Sequence, residues 1–598
     1  MPNPFEIVSA ELMELKQVAE EFVQEHTEYA KLASYSHTIV WGSRGSGKSM
    51  HFRFMEPMAQ ACSKDTKYNG DVKEFLKEQN SFIGIYINCR DGVLNREELR
   101  LVESLPNANQ NVLNILFSRY LSCILIKTIS ATISAQLDWV SQLSVRETNI
   151  PLWIKESYKN AFESLGTVLE HAIKHCSSCL AKLDDIVDRH FLNFDTAHSL
   201  DNFPSNTPRL TPDVHDYCRF LKTSANIVSP FFILFDEANE LAELHQRCLN
   251  TLIAVRSQRS MCIKLASQRH GFVTIRKLES SVDETHDYTT IDLDGLYTNN
   301  RQAYYKRIER IGNERLQRAG FNISINEYLP QNEKEVEAFE KAKKIAEERY
   351  FSIEEKKRPI EKSNFIKKYA PAILFQEVLS PKGSKTYAGF DSVVHISSGI
   401  VRSFLDCCSK MYTRYDEKYS GKEPDHIPVS IQGEVIKKYS DEFIQFQIVD
   451  KLENLYPDSK EWTERKELMN LLKGLSILFR GRLMDKKSRE PRIISISLKN
   501  DPEPRLQDVL NLAEREAFIH VKWYRSKRGN RNLRCYILNR RLCPHFNLDH
   551  TGFQGRLEVF AEELNLCLTD PDKFAKSILG RGPEKSEEDE NQLTLFEW

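Results

Sequence analysis

Two hydrophobic patterns alternate along this chain. Short, nearly unbroken apolar runs predict strands buried on both faces: Ile39–Trp41, Ser81–Cys89 (SFIGIYINC), Phe231–Glu237 (FFILFDE), Met261–Gln268 (MCIKLASQ) and Tyr288–Leu293 (YTTIDL). Between them apolar residues recur at three and four positions, the spacing of packed helices. That spacing predicts a helical lead-in over residues 4–36 and a helix after residue 49 that Pro57 kinks or shortens. It also predicts long helices over Asn107–Thr132 and Leu152–Phe191. Five strand candidates separated by helices describe a doubly wound parallel α/β sheet. About 140 residues part the second strand from the third, so much of that stretch is a helical insertion; Asp195–Pro212, rich in Pro, Asn and Ser, reads as a loop.

Beyond residue 294 the pattern turns helical. Gln331–Lys362 is densely charged and reads as a solvated helix inserted in a lid, or as a partner-binding helix. A helix follows Ser398-Gly399, within Ser397–Tyr412. Further on come helices over Leu468–Arg480 and Leu506–Arg515 and strands over Ile493–Leu498, Phe518–Tyr524 and Leu533–Leu538. Helices followed by a hairpin suggest a winged-helix module. The length favours three or four domains. The expected division is a core over residues 1–300 with its insertion at about 100–210, and a helical lid over 301–415. A winged-helix-like region over 416–575 and a disordered acidic tail over 576–598 complete it.

The chemistry concentrates where the first strand ends. Gly42-Ser43-Arg44-Gly45-Ser46-Gly47-Lys48-Ser49 fits G-x-x-x-x-G-K-[ST], with an apolar strand before it and a helix, opening on Met50, after it. Glycines let backbone N–H groups curl around a phosphate, Lys48 reaches the β- and γ-phosphates of ATP, and the Ser49 hydroxyl ligates Mg²⁺. The third strand ends in Asp236-Glu237, at the edge where open α/β sheets bind ligands. Asp236 is placed to hold Mg²⁺ and Glu237 to polarise a water; alone, the pair reads equally as two solvated acids. Ser267 and Gln268 end the fourth strand, in reach of a γ-phosphate. Arg402 is by default a surface cation. His171, His175, Cys176 and Cys179 share a helical stretch, but no second Cys/His pair follows at finger spacing, so core packing outweighs metal binding.

Charge matters locally rather than globally. The net charge is −2, yet Val521–Arg541 holds eight Lys/Arg and no acid. Arg525, Lys527, Arg528, Arg531 and Arg534 crowd the expected hairpin tip, with Trp523 and Tyr524 interleaved; the readings are a DNA-phosphate contact or a solvated hairpin. The end, Gly580–Trp598, is acidic but carries Leu593, Leu595, Phe596 and Trp598, a docking peptide or a segment that packs back on its own domain. Thirteen scattered cysteines suggest free thiols in a reducing compartment, and 41% hydrophobic with 28% charged residues describes a globular chain. No secretory pattern opens the sequence and no unbroken apolar run reaches membrane-spanning length, so a cytoplasmic location with no membrane partner is expected.

The glycine loop, YINC (Tyr86–Cys89), FDE, IKLASQ and SGIVRSFLDCC together resemble the origin-recognition-complex-type AAA+ ATPases, the bacterial members most closely, and Tyr536–Phe546 resembles their winged helix. The resemblance implies an AAA+ core with helical lid and winged helix, ATP and Mg²⁺ as cofactors, and assembly on DNA as a homo- or hetero-oligomer. It implies Lys48 and Ser49 on Mg·ATP, Asp236 and Glu237 as metal and water residues, Ser267 or Gln268 as first sensor and Arg402 as second. Arg276 is the implied arginine finger, with Arg259 and Arg269 as rivals. The long insertions depart from the family and resemble members of anti-phage defence or mobile-element systems. Gln592-Leu593-Thr594-Leu595-Phe596 is similar to the bacterial sliding-clamp-binding pentapeptide, with Thr594 for Ser or Asp. The expectation is therefore an ATP hydrolase controlling assembly on DNA, linked to the replication clamp. The alternative is a nucleotide-dependent switch that oligomerises and activates a separate effector protein.

Overall fold

The computed structural model describes residues 3–580 apart from 24–25, 65, 79–80, 92–93, 105–109, 159–161, 194–205, 256–259, 270–271, 273–281, 285, 354–359, 380–384, 420, 526–531 and 553–554. The chain divides into two compact units, one of residues 8–293 and one of residues 1–7 with 294–598.

The unit of residues 8–293 is built on five parallel strands: β1 (Thr38–Trp41), β2 (Ile83–Asn88), β3 (Phe231–Asp236), β4 (Met261–Ser267) and β5 (Thr289–Asp292), in the spatial order β2-β3-β4-β1-β5. Parallel strands need crossovers, and helices fill them. Each of the five apolar runs becomes a strand, and β3 and β4 are buried along their whole length. In this order β1 lies beside β4, with Trp41 opposite Ser267, and β2 lies beside β3, with Asn88 opposite Asp236. The carboxyl ends of four strands thus converge on one edge. Gly84 in β2 allows the end of the helix Lys48–Phe54, which follows the glycine loop, to touch the sheet, since an added Cβ would fall 2.2 Å from the Met55 carbonyl oxygen.

The helical expectations are met with three changes. The lead-in is two short helices, Leu15–Glu21 and His26–Leu32, and the residues before them form turns rather than helix. Pro57 stands at the first position of a new helix, Pro57–Cys62, where its missing N–H is no loss. The helix expected over Leu152–Phe191 is broken into Leu152–Ser157 and Leu165–Asn193. The insertion's central helix, Gln110–Gln136, is long and apolar enough to cross a membrane by length and composition, although no unbroken apolar run in it is that long. Arg119 and Lys127 interrupt each run, whereas mean hydropathy averages over them. In the fold this helix is core: it packs against Leu165–Asn193, Leu210–Ala225 and Glu243–Ile253, and 67% of its most apolar window is buried.

The other unit is mainly helical, with one mixed sheet of β6 (Ser495–Leu498), β7 (Ile519–Arg525), β8 (Asn532–Leu538) and β9 (Leu557–Val559), ordered β7-β8-β6-β9. β7 and β8 form the anticipated antiparallel hairpin and β6 pairs with β8, but the parallel strand β9 is an addition the sequence pattern did not signal. The charged stretch is the helix Glu333–Ser352, and the helix after Ser398-Gly399 is Val401–Tyr419.

Candidate nucleotide site

The loop after β1 takes the shape its glycines permit. Gly45 and Gly47 adopt φ of 86° and 101°, left-handed values that other residues reach only with strain, and the helix Lys48–Phe54 begins at once. A Cβ at Gly42 would meet Ser46 Oγ at 2.4 Å, so a larger residue there would force the Ser46 hydroxyl to turn away. Lys48 is 3% exposed, and its ammonium donates to the Gly42 and Ser43 carbonyls at 2.8 and 3.1 Å. The buried Ser46 hydroxyl has no hydrogen-bond partner among the described residues. Arg44 is exposed and pairs with Glu240 at 3.4 Å, and Met50 is half-buried.

Asp236 ends β3 in complete burial. Its Oδ2 accepts from the Tyr86 hydroxyl at 2.9 Å and its Oδ1 from the Glu237 N–H at 3.0 Å. Burial pushes its carboxyl up to about 6, and the neighbouring Glu237 charge pushes the same way; bonds from Ser49 and Tyr86 and the charge of Lys48 oppose them. Glu237 sits at φ 54°, a left-handed value that is unusual for a side chain of this size and turns the chain sharply at the strand end. Its Oε2 is buried without a hydrogen-bond partner among the described residues, 3.8 Å from Arg90 Nη2.

The fourth strand supplies the next residues. Ser267 is buried and donates to the Gln268 carbonyl at 2.9 Å; the Gln268 N–H donates to Asn239 Oδ1 at 3.2 Å. Asn239 thus ties the turn after Glu237 to the end of β4. Arg269 is engaged with Asp292 at 2.6 Å. Arg276 and Arg259 lie outside the described residues. Arg402 is exposed on Val401–Tyr419, in the other compact unit. Tyr86, Arg90 and Asn239 escaped sequence reasoning. The one signal for Tyr86 was its place in SFIGIYINC, a phenol in a core strand and on the same face as Asn88.

The residues fit Mg·ATP. A buried ammonium, a buried hydroxyl aimed at no protein partner and a loop of left-handed glycines suit a polyphosphate. A carboxylate kept from its usual ionisation by burial, close to Ser49, suits a cation.

Elsewhere the sequence candidates separate. His171 Nε2 lies 2.8 Å from Ser157 Oγ, and His175 Nε2 lies 3.0 Å from the Asn206 carbonyl and 3.5 Å from Cys179 Sγ. Among the described residues no group of three His, Cys, Asp or Glu could hold a metal. At the hairpin, Lys527, Arg528 and Arg531 are outside the described residues, as is Gln592–Phe596 of the tail. Arg525 ends β7, and exposed Arg534 donates to Gln507 at 3.1 Å. Two of the eight cations counted along this stretch turn inward: Arg540 is fully buried, and Arg541 lies 3.6 Å from the centre of the Tyr439 ring. The basic surface is therefore narrower than composition suggested.

A P-loop on β1, an Asp-Glu strand end on β3 and a polar-ended β4 between them define a P-loop ATPase core of the AAA+ class. The chain belongs to the ORC-CDC6-like family, whose profile matches residues 3–559. A comparison with curated proteins found no match. Dependence on nucleotide and Mg²⁺ is general to such ATPases, and the family as a class acts in association with DNA and as oligomers.

Proposed function

We propose that this protein hydrolyses ATP and uses the bound nucleotide to control its assembly on DNA. The observation that carries the reading is the convergence of Lys48, Ser49, Asp236 and Glu237 at one edge of a single parallel sheet, with Glu237 Oε2 buried beside Arg90 and without a hydrogen-bond partner among the described residues. Lys48 and the P-loop amides hold the β- and γ-phosphates. Ser49 and Asp236 hold Mg²⁺, which supplies charge neutralisation at the phosphates when bound. Glu237 orients the attacking water. Ser267 or Gln268 reads the γ-phosphate from β4, Arg402 acts as the second sensor, and a neighbouring subunit provides an arginine, for which Arg276 is the candidate.

The region holding β6–β9 serves as a winged helix in this reading, contacting DNA phosphates through Arg525, Lys527, Arg528, Arg531 and Arg534 at the tip of the β7–β8 hairpin. Residues 592–596 dock on the sliding clamp. The pentapeptide pattern supports the clamp link, and resemblance alone supports a setting in anti-phage defence or mobile-element and replication biology. ATP turnover measured with and without duplex DNA tests the proposal. Glu237→Gln should lower turnover by about 10²- to 10⁴-fold while ATP still binds. Reversing Lys527, Arg528 and Arg531 to Glu should weaken DNA binding and flatten its salt dependence. If DNA leaves turnover unchanged and the reversed variant binds DNA as before, the effector-switch alternative replaces this reading.

A further inference from the structure

The turn Ser9–Met13 lies against the metal end of the nucleotide site. Arg53, on the helix after the P-loop, fastens it there: Nε donates to the Ala10 carbonyl at 3.3 Å and Nη2 to the Met13 carbonyl at 3.0 Å. The same guanidinium pairs with Glu56 and lies 5.1 Å from the centre of the Tyr86 ring, whose hydroxyl holds Asp236. Between the two anchored carbonyls is Glu11. Its Oε2 accepts from the Ser9 hydroxyl, and its Oε1 lies 3.5 Å from Ser49 Oγ. Ser49 thus faces Glu11, and its hydroxyl is also near enough to Asp236 to oppose the rise of that carboxyl.

We infer that Glu11 is a positioning residue for the Mg²⁺ of Mg·ATP, accepting hydrogen bonds from the ion's waters beside Ser49. The inference rests on the nucleotide reading above. Mg²⁺ dehydrates reluctantly and keeps several waters, so a carboxylate one water away orients its shell without entering it. A separation of 3.5 Å is too long for a strong bond from Ser49, which leaves Oε1 able to accept elsewhere. Arg53 holds the backbone on both sides of Glu11, so little conformational entropy remains to be lost when the carboxylate engages. A carboxylate serving only the Ser9 turn would be indifferent to Mg²⁺.

The test is the affinity of the full chain for ATPγS in excess Mg²⁺ and in EDTA, read as the ratio of the two Kd values. Wild type should bind more tightly with Mg²⁺. Glu11→Gln should cut that gain by about tenfold, with affinity in EDTA unchanged or tighter because a negative charge near the phosphates is gone. The EDTA arm reports in the same sample that the variant is folded. Ser9→Ala keeps the charge and should keep the ratio. A Glu11→Gln ratio equal to wild type, or a Ser9→Ala loss equal to that of Glu11→Gln, overturns the assignment and leaves the nucleotide reading standing. No binding by wild type in either condition overturns both.

Discussion

Two buried aspartates, one in each compact unit, meet opposite fates. Asp236 ends β3 and Asp549 precedes a turn in the unit of residues 294–598; they are 0% and 2% exposed. Burial raises Asp236, and nothing nearby neutralises it fully. Burial would raise Asp549 as well, but Arg492, then Lys385 and His550, and a bond from Thr551 outweigh it and hold its carboxyl far below the usual range. Arg492 Nε sits 2.5 Å from Asp549 Oδ2, and Thr551 gives Oδ1 both its hydroxyl at 2.7 Å and its N–H at 3.0 Å. A carboxylate paid off by its own protein is architecture. One left short of positive charge at a strand end is a place for a cation, and this is why the same residue type reads as a site in one unit and as a strut in the other.

The contrast is most exposed to failure at Asp549. Asp549→Asn strands Arg492 and Lys385 without their counter-charge, and breaking a buried pair in this way costs about 3–5 kcal/mol. Because the folded carboxyl is depressed, its contribution is present above the unfolded value near 3.8 and is lost as pH falls below it. Thermal unfolding should therefore show a large gap between wild type and Asp549→Asn at pH 7 that narrows towards pH 3. A gap under about 1 kcal/mol at neutral pH would remove the strut.

Asp236 predicts the opposite sign. Its folded value is raised, so the folded state binds the extra proton, and stability without ligand falls as pH rises from near 3.8 to about 6. That displacement corresponds to at most about 3 kcal/mol. Asp236→Asn should stabilise the nucleotide-free protein above pH 6 by up to this amount, and make little difference at pH 4. Melting curves at pH 4 and pH 8 without Mg²⁺ decide it: a variant less stable than wild type at pH 8 would mean that Asp236 is already compensated.

How much of this was readable follows the same division. The P-loop spacing is imposed by the size of a phosphate, and the apolar run before Asp236 by burial on both sheet faces, so both stood out as local patterns. Asp549 gave no signal, because Arg492 and Lys385 reach it from distant stretches that no short window contains. The helix Gln110–Gln136 was found but its role was not: it is buried around most of its circumference and lacks the polar face that tells a helix where water lies. The counted cations near the hairpin misled in the other direction, since Arg540 is buried and Arg541 packs on the Tyr439 ring. Tyr86, Arg90 and Glu11 meet their partners only when the sheet and the P-loop helix are assembled.

The smallest test asks what a single hydroxyl does for each aspartate. Tyr86→Phe removes a donor from a carboxylate that has few, so it should raise the Asp236 carboxyl further. The pH at which stability stops falling should move up from about 6, and the loss should be about 1–2 kcal/mol at pH 8. Thr551→Val removes a comparable donor from Asp549, but Arg492 and the Thr551 N–H remain. A group held far below the usual carboxylate range stays ionised at every pH above 4 even when one bond is lost. Thr551→Val should thus lower stability by a similar amount and leave the shape of the stability–pH curve between pH 5 and 8 unchanged. If Tyr86→Phe also leaves that shape unchanged, the phenol is not what restrains Asp236, and the bond between β2 and β3 serves packing rather than the cation site.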